Sequence, residues 1–83
     1  MQYRMFRNLH EFVAQNDGRT GALVYKTPEK AAEAFAWLSK YRAEWGIQPD
    51  ENQQLFTFPN GVKVWVTDPA HLPQGAAVVG QYN

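Results

Sequence analysis

The run Leu55-Phe56-Thr57-Phe58-Pro59-Asn60-Gly61-Val62-Lys63-Val64-Trp65-Val66-Thr67 constrains this chain more than any other segment. Aromatic and β-branched residues fill both arms and Pro-Asn-Gly stands between them, so the run reads as a β-hairpin. Two registers compete. A two-residue Asn60-Gly61 loop sets Phe58 against Lys63 and Phe56 against Trp65, and leaves Pro59 at a paired position with no N–H to give. A three-residue Pro59-Asn60-Gly61 loop suits each residue: Pro59 and Asn60 fill a type I turn, and Gly61 takes the left-handed position of a bulge. Phe58 then faces Val62 and Phe56 faces Val64.

The second register also sorts the side chains. Phe56, Phe58, Val62, Val64 and Val66 share one face; Leu55, Thr57, Lys63, Trp65 and Thr67 share the other. A sheet with one buried face needs that separation, because a slip of one residue turns every side chain over. We adopt it. It leaves an apolar pair, Leu55 and Trp65, on the mixed face.

The rest of the chain supplies the partners of this hairpin. Gln2–Phe6 reads as a strand or as the start of a helix. The strand is preferred, because Asn8 suits an N-cap with Glu11 three residues on. Leu9, Phe12 and Val13 then stripe a helix of about nine residues, too short to hold without packing, and Gly18 stops it. Gly21–Lys26 is nearly continuous in apolar residues, which predicts an inner strand covered on both faces. Thr27 caps the main helix, Pro28 takes its first position and Glu29 favours its positive end. That helix is expected to run to about Trp45, where Gly46 ends it. Ala31, Ala34, Phe35, Leu38, Tyr41 and Trp45 share its apolar face, with Trp37 at the edge.

Gly46–Gln54 reads as a polar connection. Asp68-Pro69 begins a turn with one helical turn through His71, Leu72–Gly75 is loop, and Ala76–Tyr82 is an edge strand. The order β-α-β-α-β-β-β predicts one α+β domain over residues 1–83. It is a two-layer sandwich with a mixed or antiparallel sheet of about five strands, and one long and one short helix lie on one face. Eighty-three residues hold no second core.

Composition excludes several chemistries. There is no cysteine, hence no disulfide, thiolate metal site or cysteine nucleophile. The two histidines, His10 and His71, fall in no metal-ligand spacing. Ser39, the only serine, lies inside the main helix rather than on a nucleophile elbow. Asp50-Glu51 is an adjacent acid pair in a polar loop, the setting of ordinary solvated carboxylates. Asp17-Gly18-Arg19-Thr20-Gly21 precedes a strand rather than a helix, so it matches no phosphate-binding loop. No catalytic residue, cofactor or metal is expected. The start of the chain lacks the apolar run of a signal peptide, and no segment approaches the roughly 20 apolar residues of a membrane span. A cytoplasmic setting is the expectation.

Net charge is zero, but residues 1–42 carry seven Lys/Arg against four Asp/Glu, and residues 43–83 carry one against four. Neutrality argues against general nucleic-acid binding, which needs many phosphate contacts. What remains is interaction with protein. Trp, Tyr and Arg anchor interfaces most often. The candidates are Trp65, Leu55 and Lys63 on the mixed hairpin face, Trp37 at the helix edge, and the acidic set Glu44, Asp50 and Glu51. The expected function is a small non-enzymatic binding module, an inhibitor or modulator of a larger assembly, of the kind that phages and mobile elements direct at host defence complexes. A weak single-stranded nucleic-acid binder and a homo-oligomeric accessory protein, a homodimer for example, are the alternatives.

Overall fold

The computed structural model describes residues 2–83. Its centre is the hairpin in the three-residue register. Strand β3 (Leu55–Thr57) pairs antiparallel with β4 (Lys63–Thr67), setting Phe56 opposite Val64 and Leu55 opposite Trp65. Beyond the strand ends the Phe58 N–H donates to the Val62 carbonyl at 2.8 Å, and the Gly61 N–H closes the turn on the Phe58 carbonyl at 2.9 Å. Gly61 has φ 85°, the left-handed position that glycine takes without a Cβ penalty. Phe56, Phe58, Val62, Val64 and Val66 are all buried.

Strand β1 (Thr20–Tyr25) is an inner strand, parallel to β4 on one side and to β5 (Ala77–Tyr82) on the other. With β2 (Gln48–Asp50) beside β3, the order is β2-β3-β4-β1-β5, a mixed five-stranded sheet. Ala22 to Tyr25 are buried without a break, as expected of an inner strand covered on both faces.

The helices lie on one face. Helix α2 (Pro28–Ser39) starts as its residues dictate: Thr27 Oγ1 accepts the Lys30 N–H at 3.2 Å and Pro28 occupies the first turn. Ala31, Phe35 and Leu38 turn to the sheet, and Phe35 stacks on Phe56 with centroids 4.6 Å apart. The helix does not continue to Trp45. The Ser39 hydroxyl donates to the Phe35 carbonyl at 2.8 Å, a back-bond that bends helices. The Lys40 and Tyr41 N–H groups fall back on the carbonyls of Trp37 and Leu38 in tight turns. One further turn follows, α3 (Arg42–Trp45), ended by Gly46 at φ 64°.

Three expectations need correction. The chain does not begin with a strand: helix α1 runs from Gln2 to Gln15. Met5 and Leu9 sit on its buried side at i and i+4, whereas a strand would have put Tyr3 beside Met5, and Tyr3 is 75 % exposed. Asn8 is no N-cap; its Nδ2 donates to the Tyr82 hydroxyl at 3.0 Å. The main helix is two helices, for the reason just given. Gly46–Gln54 is not all connection, since it holds the edge strand β2. That strand is anchored by buried Ile47 and carries Pro49, a residue tolerated at a sheet edge. The fold remains the expected two-layer α+β sandwich; β2 takes the place of the first strand.

Two glycines let the layers close. A Cβ on Gly21 would lie 2.7 Å from both the Phe12 ring and a Val79 methyl, so α1 seats on β1 only because Gly21 has no side chain. A Cβ on Gly80 would collide with the Tyr82 ring, which folds back over it to reach Asn8.

Phe58, 7 % exposed at the mouth of the turn, tests the register directly. Phe58→Ala is expected to remove about 3–5 kcal/mol from the stability measured by denaturant unfolding. A variant as stable as the parent would place Phe58 outside the core and refute this hairpin.

Candidate functional site

Strands β4, β1 and β5 are parallel, so the connection from β4 to β5 must travel back along the sheet. It begins with Asp68, whose buried carboxylate accepts the Ala70 N–H at 3.2 Å and holds His71 Nδ1 at 2.9 Å. This caps a single 3-10 turn, Pro69–His71, as the sequence leads one to expect. The connection passes on the side away from the helices, where His71 and Pro73 line one groove with Trp65 and Thr67. Ala22, Val24 and Leu55 are buried on that side although no helix covers them.

Leu55, 8 % exposed, is buried within the fold. Trp65 is only half-buried and forms part of the groove, which encloses about 350 Å³. Its rim comes from three segments: Pro28 at the start of α2, the turn Glu51–Gln54, and Thr67 to Pro73. Gln54 fixes the turn against β4. Its φ is 52°, its carbonyl accepts the Val66 N–H at 2.9 Å, and its Nε2 donates to the Val66 carbonyl at 2.8 Å.

The acidic candidates are not one cluster. Glu44 stands exposed on α3, before β2, while Asp50 and Glu51 follow at the other end of that strand. Asp50 is committed to its own turn. It accepts the Gln53 side-chain amide at 2.9 Å and the N–H groups of Asn52 and Gln53 at 3.0 and 3.3 Å. These bonds, the Gln53 side chain first, hold its carboxyl below the usual range. Glu51 alone of the three lines the Trp65 groove. Lys63 is exposed at the far end of β4, opposite Thr57.

Trp37 belongs elsewhere. It is half-buried in a seam of rings that joins α1 to α2 and α3: Phe6 meets Trp37 at 5.2 Å, Tyr41 at 5.7 Å and Trp45 at 5.2 Å. Tyr41 stacks on Trp45 at 5.3 Å, and His10 meets the Trp45 edge at 5.0 Å. Edge-to-face and offset contacts of this kind add to the area that the rings bury. Trp37 also borders a second groove of about 350 Å³ with Tyr25, Lys30, Glu33, Ala34 and Asn83. The strand assigned to Gln2–Phe6 hides the place of Phe6 in this seam; the helical spacing Phe6-Leu9-Val13 is the signal for it.

The described residues hold no group of three or more His, Asp or Glu side chains placed to share a metal ion. No helix among them is long and apolar enough to cross a membrane. Compared with known proteins, the chain matches no family model, no curated sequence and no solved structure.

Tyr25 joins the two faces of this end of the molecule. It is buried, 5.4 Å from the Tyr82 ring, and borders two grooves. Burial, with the Tyr82 phenol beside it, pushes its pKa up to about 12 from 10.0. Unfolded chains release this proton near 10 while the folded protein keeps it, so its stabilising contribution is full below 10 and is lost as pH rises toward 12. Absorbance titration is expected to show one tyrosine of the four ionising near 12. Stability should fall more steeply between pH 10 and 12 in the parent than in Tyr25→Phe; identical slopes would contradict the assignment.

Proposed function

We propose that this chain is a small non-enzymatic protein-binding module, acting as an inhibitor or modulator of a larger assembly, and that it docks a partner protein at the Trp65 groove. The observation that carries the reading is a partly buried tryptophan flanked by polar side chains from two segments, Glu51–Gln54 and Thr67–His71, with Pro28 of α2 also lining the groove. An aromatic anchor inside a polar rim is the arrangement in which interface energy concentrates. Glu51, Asn52, Gln53 and His71 offer the rim hydrogen bonds, and Leu55 and Thr67 back the indole from within the sheet.

The groove lining contains Glu51 and Asp68 and no Lys or Arg. That favours a partner presenting donors or basic side chains. It also weighs against single-stranded nucleic acid, because phosphate binding depends on clustered cations.

Trp65→Ala separates anchor from core. The variant is expected to fold, losing less than about 3 kcal/mol, and to lose capture of the partner that the parent retains from a lysate of the native cell or host. Equal capture by both proteins, or a collapse of stability, would remove Trp65 from the interface.

A second reading, self-association, has its own observation. The two edges of the sheet differ. Edge strand β2 is three residues long and carries Pro49 and Asp50, the devices that discourage strand addition. Edge strand β5 has six residues, no proline and 46 %-exposed Val78, and Leu72–Asn83 contains no charged side chain. Pairing of β5 with β5 of a second copy would meet no like-charge repulsion. Light scattering at high concentration is expected to give a dimer mass that Val78→Lys returns to monomer; a monomeric parent sinks this reading and leaves the groove reading standing.

A further inference from the structure

Asn60 ties the hairpin turn to the end of α1. Its Nδ2 donates to the Val13 carbonyl at 2.7 Å and to Asp17 Oδ1 at 2.9 Å, across 47 and 43 residues of sequence. Its Oδ1 accepts the Val62 N–H at 3.3 Å, and its backbone carbonyl accepts the Gly18 N–H at 3.2 Å. The turn lies against the loop, so that a Cβ on Gly61 would come into ordinary contact with the Gly18 Cα at 3.5 Å. One side chain therefore joins three segments: the last turns of α1, the loop before β1, and the hairpin.

The same residue begins an Asn-Gly pair, and this sequence has a chemistry of its own. The nitrogen of the following residue can attack the side-chain amide carbon, and glycine, having no Cβ, hinders that approach least. The Gly61 N–Cγ bond forms, the Cγ–Nδ2 bond breaks and ammonia leaves, closing a five-membered succinimide. Water then opens the ring at one carbonyl or the other and gives aspartate or isoaspartate. In the folded protein both reactants are engaged: the Gly61 N–H is donated to the Phe58 carbonyl, and the Asn60 amide is held at its nitrogen and its oxygen.

We propose that Asn60 is a deamidation site gated by this tie, and that its conversion releases the hairpin turn from α1 irreversibly. The product has no N–H for the Val13 carbonyl, so that acceptor loses its partner. The new carboxylate faces Asp17 where a hydrogen bond stood, and like charges at that distance repel. Isoaspartate further lengthens the backbone inside a turn whose register the core depends on. The tie thus acts as a one-way switch: while it holds, the chemistry is blocked, and once the chemistry occurs, the tie cannot re-form.

The test uses the full chain incubated at mildly alkaline pH, folded and in denaturant, with mass spectrometry and isoaspartate detection at residue 60. The folded protein is expected to react at least about tenfold more slowly, since reaction requires local opening. Asp17→Ala, which removes one acceptor of the tie, should raise the folded rate severalfold while denaturant unfolding shows the variant still folded. The deamidated species and Asn60→Asp should share a lowered unfolding midpoint. A folded chain that reacts as fast as the denatured one overturns the gate. So does an Asp17→Ala rate equal to that of the parent. A deamidated protein as stable as its parent overturns the release.

Discussion

The hydrogen bond from the Phe58 N–H to the Val62 carbonyl is the point on which this structure turns. It exists because Pro59, Asn60 and Gly61 fit a three-residue loop, and Gly61 accepts a positive φ. Slip the pairing by one residue, and Phe56 faces Trp65 and Phe58 faces Lys63, so that with the phenylalanines inward Val64 and Val66 exchange places with Lys63 and Trp65. A lysine would then point at the helices. The register also sets β4 against β1, so that Ala22 lies opposite Trp65 and Val66 opposite buried Leu23. An 83-residue domain has little apolar area to spare, so one local turn choice determines whether the helix layer has a surface to pack on.

The other face follows from topology. Because β4, β1 and β5 run parallel, the chain between β4 and β5 must travel the length of the sheet, and it does so opposite the helices. Beyond one 3-10 turn this covering is irregular and has little apolar content; the small residues Ala22 and Val24 are buried on this face while the large one, Trp65, stays partly open. The groove is thus a consequence of covering a sheet with a thin strap. Asp68 makes the strap rigid where it starts, by satisfying the first backbone donor of its turn and holding His71.

Legibility in the sequence tracked how local the determining interactions are. The hairpin, the Thr27-Pro28 helix start, the Asp68-Pro69 turn and the Gly21–Lys26 strand are set by neighbours a few residues apart, and all four stand in the structure. The N-terminal helix was misread because Asn8 and Glu11 imitate a cap, whereas the real use of Asn8 is a bond to Tyr82, 74 residues away. The break after Ser39 coincides with a hydroxyl back-bond to Phe35 and with Lys40 and Tyr41 N–H groups turned to carbonyls three residues back, features a helical wheel does not register. Strand β2 is only three residues long, and its polar composition reads as loop until Phe56 is placed beside Pro49. At the candidate site, the stranding of Leu55 and Trp65 was legible from the register. That Leu55 is buried while Trp65 stays partly open depends on packing between segments distant in sequence, which nothing local specifies.

The charge asymmetry takes on a spatial meaning once the layers are known. The basic first half supplies α1, β1 and α2, and two of these three are the long helices; the acidic second half supplies the hairpin, both sheet edges and the strap. The helices expose Arg4, Arg7, Lys30 and Lys40 together with Glu11, Glu29 and Glu33, and Glu51 and Asp68 lie around Trp65. Net neutrality conceals this division. The strap side shows an indole beside acids and amides, while the groove beside Trp37 on the helix side carries Lys30 together with Glu33. The tie at Asn60 lies where the layers join, holding the hairpin that carries Trp65 to the helix that carries Phe6.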